Sequence, residues 1–490
     1  MYINGEFKET REKQDVIDPC TGQAIAKVSL AGPAEINEAL EAARNAFDHG
    51  PWPKLPLQQR KEFLLKISQA IFDHAAELAR IEAQNTGKPI KEATFMDVPS
   101  AAKTFEYFAN NLEKYLEPET INISAETQAQ AKLMRQPQGV VVLIVPWNYP
   151  LLIAAWKMAQ ALAAGNAVVL KSSSLTPLSV LELAKIINAC GLPKGAVNII
   201  NGSGAKLGQA LCADPAVDMV SFTGSNEVGK QVINYASQNV KKLTIELGGK
   251  SAAVVLKDAD LETAVNGLLC AIFLNQGQMC TAMSRIFVDA AVYEKFSADF
   301  ITKAKKIKLG SSLDFETQMG PLISEAQRKK VIAYVEKAVR DGAKLLCGGK
   351  APSAELKDGF FFEPTVLTDI KPDMPIFKEE VFGPVACLNK FSGIDEAAKL
   401  ANSSEFGLAA SIWTKDEKTA QELALQINAG TVWINTYGMF YNELPYGGFK
   451  QSGFGKELGR EGFLEYTRLK NIVSDRAESG KPLVSYWYGF

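Results

Sequence analysis

Three short stretches carry side chains suited to chemistry at a carbonyl carbon. FLNQGQMC (273–280) sets Cys280 just after a polar turn of Asn275, Gln276, Gly277 and Gln278, in otherwise apolar surroundings. ELGGKS (246–251) sets Glu246 at the end of a strand-like run, LTIELGG. PWNYP (146–150) sets the Asn148 amide at the end of a very apolar run. A thiol can attack, a carboxylate can take a proton, and an amide can hold a developing oxyanion. The two histidines, His49 and His74, fall early and in no recognisable catalytic context. A Cys–His hydrolase is therefore disfavoured, and something other than histidine must activate Cys280 or its product.

Composition argues against several other chemistries. The seven cysteines (Cys20, Cys190, Cys212, Cys270, Cys280, Cys347 and Cys387) are scattered and form no CxxC pair. Neither a disulfide framework nor a His/Cys zinc site is expected, and no metal is assigned. A net charge of -2 gives no reason to expect nucleic acid or an acidic membrane as partner. Lys303, Lys305, Lys306 and Lys308 read as a solvated helix face. The opening MYINGEFKETREKQD lacks an apolar run behind a basic start, so no signal peptide is expected. The most apolar segment, 139–156, is broken by Pro146, Asn148 and Pro150 and reads as a strand and helix, not a membrane span. The expected setting is cytoplasmic.

The elements that must position these groups follow from periodicity. At 490 residues the chain predicts two or three domains. Residues 1–30 read as short strands and turns. Three- and four-residue spacing predicts helices over 34–47, 57–86 and 98–116, a layer to cover a sheet. The polar segment 117–137 reads as a projecting hairpin, because INIS and AKLMRQP each alternate. Strands then follow at 140–145, 167–171, 196–201, 218–224 and 242–248, with helices over 149–164, 178–190, 205–213 and 227–238 between them. That alternation predicts an α/β fold with a doubly wound parallel sheet, whose ligands bind at the carboxyl ends of the strands. A second α/β region runs from 252 to 448, with strands AAVVL, SRIFVD, PTVLTDI, VACLNKF and TVWIN, most of them separated by helices over 260–275, 291–307, 325–341, 394–402 and 416–428. The chain ends in an apolar aromatic run, VSYWYGF, expected to dock on another subunit.

Glycines and one lysine point to a nucleotide. Gly202-Ser203-Gly204-Ala205-Lys206-Leu207-Gly208 is one residue longer than the usual dinucleotide fingerprint and is weak by itself. FTGSNEVG (222–229) is better placed, after a strand and opening a helix. There Gly224 permits close approach of a phosphate, and Ser225 with the free amides beyond it can hold the charge. Lys171 ends a buried strand, so it either meets a ribose hydroxyl or phosphate or reaches solvent.

Six motifs, in order, carry a family resemblance over essentially the whole chain. They are PWNYP, FTGS (222–225), ELGGKS, GQMC (277–280), EEVFGP (379–384) and PYGGFKQSGFGKELG (445–459). The chain resembles the NAD(P)-dependent aldehyde dehydrogenases. Around WIN (433–435) and KQSGFGKELG it resembles their betaine-aldehyde and amino-aldehyde group. The resemblance implies a Rossmann-type cofactor domain (1–116 and 138–248), a catalytic domain (249–448), and an oligomerisation arm and tail (117–137 and 449–490). It implies Cys280 as nucleophile, with Asn148 and the Cys280 N–H on the oxyanion, and hydride passing to the nicotinamide. Glu246 then serves as the base that hydrolyses the thioester to a carboxylic acid. It places Lys171 on the adenosine ribose, Gly224 and Ser225 at the pyrophosphate, Glu380 on the nicotinamide ribose and Phe382 beside the nicotinamide. Val145, Pro146, Trp147, Ser174, Gly204, Gly208, Phe222, Thr223, Val228, Leu247 and Gly248 complete the cofactor set. Lys157 and Glu457 match positions associated with proton transfer, though Glu457 also fits a buried ion pair. A homo-oligomer, dimer or tetramer, is implied.

Two departures bear on specificity. The family run KPSE is here Lys171-Ser172-Ser173-Ser174, which removes a carboxylate that would repel a 2′-phosphate, so NADP is expected beside NAD. Tyr149, Trp156 and Tyr446 fall at positions of an aromatic box for a trimethylammonium, but Leu274 stands where a fourth aromatic is common. Asn110 replaces an acidic residue of amino-aldehyde enzymes. Phe273, Met279, Thr281, Met439 and Phe440 complete the pocket and suit a longer neutral aldehyde. Betaine aldehyde, giving glycine betaine, and neutral aliphatic or aromatic aldehydes are thus both expected substrates. A CoA-acylating relative commonly lacks the carboxylate present here as Glu246. A non-catalytic crystallin-like protein on the same fold would be expected to lose Cys280, Glu246 or Asn148.

Overall fold

The computed structural model describes residues 1–123, 129–352 and 356–476. The terminal VSYWYGF lies outside the described residues.

Five parallel strands form the first sheet: β1 Val140–Ile144, β2 Ala167–Ser172, β3 Val197–Asn201, β4 Met219–Gly224 and β5 Lys242–Leu247. Their order is β3-β2-β1-β4-β5. Strand order therefore reverses between β1 and β4, the place where doubly wound sheets bind ligands. Short antiparallel strands extend both edges, Tyr2–Ile3 beside β3 and Gly453–Phe454 beside β5. β1, β2 and β3 are buried along their whole length, which is why they read as unbroken apolar runs. Val141, Leu143, Val168 and Leu170 face one helical layer, built from Leu57–Asp73, Val98–Leu116, Pro150–Ala164 and Leu178–Cys190. Their alternates Val140, Val142, Ala167 and Val169 face the other, built from Pro33–Asp48, Gly204–Ala213 and Asn226–Ala236.

The second sheet comprises β6 Ala252–Val255, β7 Arg285–Asp289, β8 Lys344–Cys347, β9 Thr365–Thr368, β10 Val385–Phe391, β11 Ala409–Trp413 and β12 Thr431–Ile434. Its order is β8-β9-β10-β7-β6-β11-β12, parallel except for β8 at the edge. The hairpin expected in 117–137 is present as Glu119–Asn122 paired with Ala129–Pro137. The strand Thr467–Asp475 joins it from the far end of the chain, making a three-stranded arm.

Three local readings need correction. The helix expected over 57–86 is two helices, Leu57–Asp73 and Ala75–Thr86. His74 leaves the helical region (φ -103°, ψ 16°), and both its backbone N–H, at 3.2 Å, and its ring, at 2.8 Å, meet the Ala70 carbonyl. The helix expected over 260–275 ends at Phe273, where the chain turns left-handed. β8 and β11 were not anticipated, although β11 sits between β6 and β12 and is wholly buried. Among the described residues no helix is long and apolar enough to cross a membrane.

Candidate active site

Cys280 is delivered by a strained turn. Helix Leu261–Phe273 starts on Asp260, whose carboxylate accepts the Thr263 N–H at 2.9 Å. Past its end, Asn275 (φ 46°), Gln276 (φ 56°) and Gly277 (φ 70°) are left-handed in succession. Asparagine and glycine tolerate this region, whereas glutamine stores strain there. A Cβ on Gly277 would lie 2.2 Å from the Gly383 carbonyl oxygen, so glycine is also required for space.

Hydrogen bonds lock this turn to the end of β1. The Asn275 side-chain amide donates to the Asn148 carbonyl at 3.0 Å. The Asn148 amide donates to the Gln278 carbonyl at 2.9 Å. The Asn275 backbone N–H donates to Glu92 at 3.1 Å. Glu92 belongs to a buried charge cluster that motif reading missed. The Lys88 ammonium sits 2.5 Å from Asp97, 3.9 Å from Glu82 and 3.8 Å from the centre of the Tyr149 ring. Burial pushes Glu92 up to about 8 and Glu82 up to about 7. These residues read as helix-surface charges, and only the fold buries them.

Glu246 lies near the end of β5 and is 6% exposed. Burial pushes it up to about 7, against the opposing influence of the Lys157 charge and of the neighbouring Cys280 thiol and Tyr446 hydroxyl. The Tyr446 hydroxyl stands 3.1 Å from Cys280 Sγ and donates to Glu246 Oε1 at 3.2 Å. Burial, then the Glu246 charge, pushes the Cys280 thiol well above its usual value. Farther in, Lys157 Nζ pairs with Glu457 at 2.5 Å and donates to Ser221 at 2.7 Å. Gln160 and Tyr466 donate to the other Glu457 oxygen.

The carboxyl ends of the first sheet form an open ledge. Lys171 is 6% exposed, and its ammonium has no hydrogen-bond partner among the described residues; burial lowers it to about 8. Ser174 is half-buried, with its carbonyl bound by Gln14. The Val145 N–H donates to the Lys171 carbonyl at 3.3 Å. Trp147, after Pro146, meets Phe382 edge-on at 5.2 Å. Thr223 and Gly224 pair with Glu246 and Leu247 across β4 and β5. Phe222 folds its ring beneath Gly224, where a Cβ would lie 2.6 Å away. Ser225 caps helix Asn226–Ala236, accepting the Val228 N–H at 3.4 Å. Gly204 and Gly208 lie on the preceding helix, Gly204–Ala213, where an added Cβ would meet nothing within 4 Å. Glu380 approaches from the loop that leads into β10, accepts the Gly249 N–H at 3.1 Å and crowds Gly248. Burial pushes Glu380 up to about 7.

Aromatic side chains wall the remaining side. Trp156, Phe440 and Tyr446 contact one another at 5.3–5.7 Å between ring centres. Trp433 and Tyr437 extend the group, and no sequence motif marks either as a pocket residue. Tyr437 meets Thr281 at 3.1 Å and Met279 sulfur at 3.7 Å. Tyr149 is set apart from these ring pairs by its contact with Lys88. Phe273 packs on Phe300 in the core under the second sheet, with Leu274 at its margin. Met439 is half exposed, and Asn110 is exposed on helix Val98–Leu116.

A wound parallel sheet with an open ledge, facing a second sheet that brings a cysteine to a buried carboxylate, defines an oxidoreductase of carbonyl compounds. The chain belongs to the aldehyde dehydrogenase family, whose profile matches residues 7–472. It is 42% identical to a betaine aldehyde dehydrogenase of Bacillus subtilis (strain 168), covering 100% of this chain and 99% of that one. It is 41% identical to retinaldehyde dehydrogenase 3 of Mus musculus, covering 96% and 92%. A crystal structure of Staphylococcus aureus betaine aldehyde dehydrogenase with NAD+ superposes with a TM-score of 0.96 at 40% identity, over 99% of this chain and 96% of that one. The protein is an enzyme that oxidises an aldehyde to the carboxylic acid.

Gly277→Ala should lower the melting temperature and cut kcat about 100-fold, the usual cost of misplacing a reacting group by an ångström. Thermal melts and steady-state turnover check this; wild-type values for both would show that the turn tolerates a side chain.

Proposed function

We propose that Cys280 is the nucleophile, Glu246 the base and Asn148 the oxyanion donor. The observation that carries this is the meeting of Cys280 and Glu246, from opposite sides of the site, at one hydroxyl. The Cys280 thiolate attacks the aldehyde carbon. An Asn side chain has two N–H donors; Asn148 commits one to Gln278 and keeps the other for the oxyanion, beside the Cys280 backbone N–H. The nicotinamide, when bound, supplies the hydride acceptor. Glu246 then draws a proton from water, and the thioester on Cys280 is hydrolysed. Lys157 and Glu457 provide the path by which that proton is passed inward.

The ledge fits a dinucleotide. Lys171 is a buried lysine whose ammonium has no hydrogen-bond partner among the described residues, an arrangement that is costly unless a ribose hydroxyl or phosphate completes it. Gly224, Ser225 and the helix start Asn226 suit the pyrophosphate. Trp147, Phe382 and Glu380 would hold the nicotinamide end, and Val145, Pro146, Thr223, Leu247 and Gly248 would shape its bed. Ser174 leaves room for a 2′-phosphate, so both NAD and NADP are taken. Betaine aldehyde is the proposed substrate, on the strength of the relatives and of the Trp156–Phe440–Tyr446 walls. One observation favours a neutral aldehyde instead: Lys88 already covers a face of Tyr149.

A homo-oligomer, dimer or tetramer, is proposed from the arm, whose strand Thr467–Asp475 exposes Leu469, Ile472 and Val473. Seven free cysteines support a reducing cytoplasmic setting. Sedimentation velocity on protein from the cytosolic fraction should give a dimer or tetramer; a monomer, or recovery with membranes, would count against both readings.

Glu246→Gln should slow deacylation by about 100-fold or more while a burst of reduced cofactor persists. Because a base works deprotonated, the wild-type deacylation rate should rise with pH through about 7 and level above it. An unchanged steady-state rate in the variant would sink the assignment. Substrate and cofactor are read together by comparing kcat/KM for betaine aldehyde and 3,3-dimethylbutanal, in NAD and in NADP. Preference for the cation supports the betaine reading, and preference for the neutral isostere supports the alternative. No rate with NADP would refute the Ser174 argument.

A further inference from the structure

Tyr446 enters the site as a wall residue, but its hydroxyl is not directed at a wall. It spans the nucleophile and the base, 3.1 Å from Cys280 Sγ and 3.2 Å from Glu246 Oε1. A phenol has one proton. That proton is donated to Glu246, so the contact with sulfur must run the other way, with the thiol donating to the phenol oxygen. The chain S–H to O–H to carboxylate is therefore aligned in one direction.

The placement is rigid. The Tyr446 N–H and carbonyl both bond the Glu457 backbone, each at 2.7 Å. Its ring is held by Trp156 at 5.7 Å and Phe440 at 5.3 Å, and the residue is 5% exposed. With histidine absent from the site, nothing else among these groups touches both the thiol and the carboxylate.

We infer that Tyr446 is a further catalytic residue, the relay through which the Cys280 thiol proton reaches Glu246 before aldehyde attack. The Cys280 S–H bond breaks as a new O–H forms on the phenol. The original phenol O–H breaks as an O–H forms on Glu246. A thiol and a carboxylate become a thiolate and a carboxylic acid, the phenol is unchanged, and no electrons are transferred. Glu246 must shed this proton before it can take one from water. The two hops occur together, because a free phenolate between a thiol and a carboxylate is strongly disfavoured by burial and by both neighbours.

The inference rests on Cys280 as nucleophile and Glu246 as base, and the experiment separates the two. Alkylation of Cys280 by iodoacetamide, assigned by mass spectrometry, is followed against pH without aldehyde in wild type, Tyr446→Phe and Glu246→Gln. Each variant is first checked by circular dichroism and thermal melting. Both variants should react about 100-fold more slowly near neutral pH and converge on wild type in strong alkali, where hydroxide takes the proton. Single-turnover acylation should slow in Tyr446→Phe while deacylation is kept, which a merely structural wall would not produce. In wild type, the alkylation rate in mixed light and heavy water should follow the curve of two protons moving together. A wild-type pH profile in Tyr446→Phe overturns the relay, as does a linear isotope dependence. Slow alkylation in Glu246→Gln alone would mean transfer by a direct or water-borne route, and also overturns it. Alkylation at another cysteine would instead overturn the assignment of the nucleophile.

Discussion

Asn148 is gripped from both sides, and the site depends on that grip. Its carbonyl accepts from Asn275, and its amide donates to the Gln278 carbonyl. One partner begins the cysteine turn and the other nearly ends it. The end of β1 and the turn that carries Cys280 thus become one unit, although they belong to different sheets. The left-handed run at Asn275, Gln276 and Gly277 persists because this unit over-determines it. Glu92 adds a carboxylate to the Asn275 N–H, and so ties the helical layer before the first sheet to the same turn.

The second constraint is dryness. Glu246, Glu380 and Glu92 are all raised chiefly by burial, not by like charges. A carboxylate out of water is a stronger base than an exposed one, which suits deacylation near neutral pH. The same burial raises the thiol, which opposes attack. A site that gains basicity from desolvation is served by moving the thiol proton over fixed groups, here spaced at 3.1 and 3.2 Å.

Much of this architecture was legible because apolar runs mark strands buried on both faces. VVVLI, AVVLKS and VNIIN announce β1 to β3, and helices Leu178–Cys190 and Ile394–Asn402 begin and end where the periodicity does. What was hidden had physical reasons. β11 is AASIW, whose alanines and serine carry little strand propensity; burial between β6 and β12 makes it a strand, and Trp413 fills the gap left by Gly267. The break at His74 lies between helix-forming residues, with no proline or glycine to mark it. Lys88, Glu92 and Asp97 resemble surface charges until the fold closes over them. Tyr149 was read as one face of a box, and Lys88 was the partner that the local pattern could not reveal.

Position, more than residue type, decides what Tyr446 does. At the head of PYGG it reads as an aromatic wall, and its contacts with Trp156 and Phe440 are those of a wall. Yet its backbone is bridged to Glu457, whose carboxylate closes the inner network of Lys157, Ser221 and Tyr466. One short antiparallel bridge therefore fixes both the group in front of Glu246 and the groups behind it. That common anchor keeps nucleophile, base and interior pair in register. A phenylalanine there would preserve the wall and lose the connection, so the single oxygen distinguishes a packing role from a chemical one.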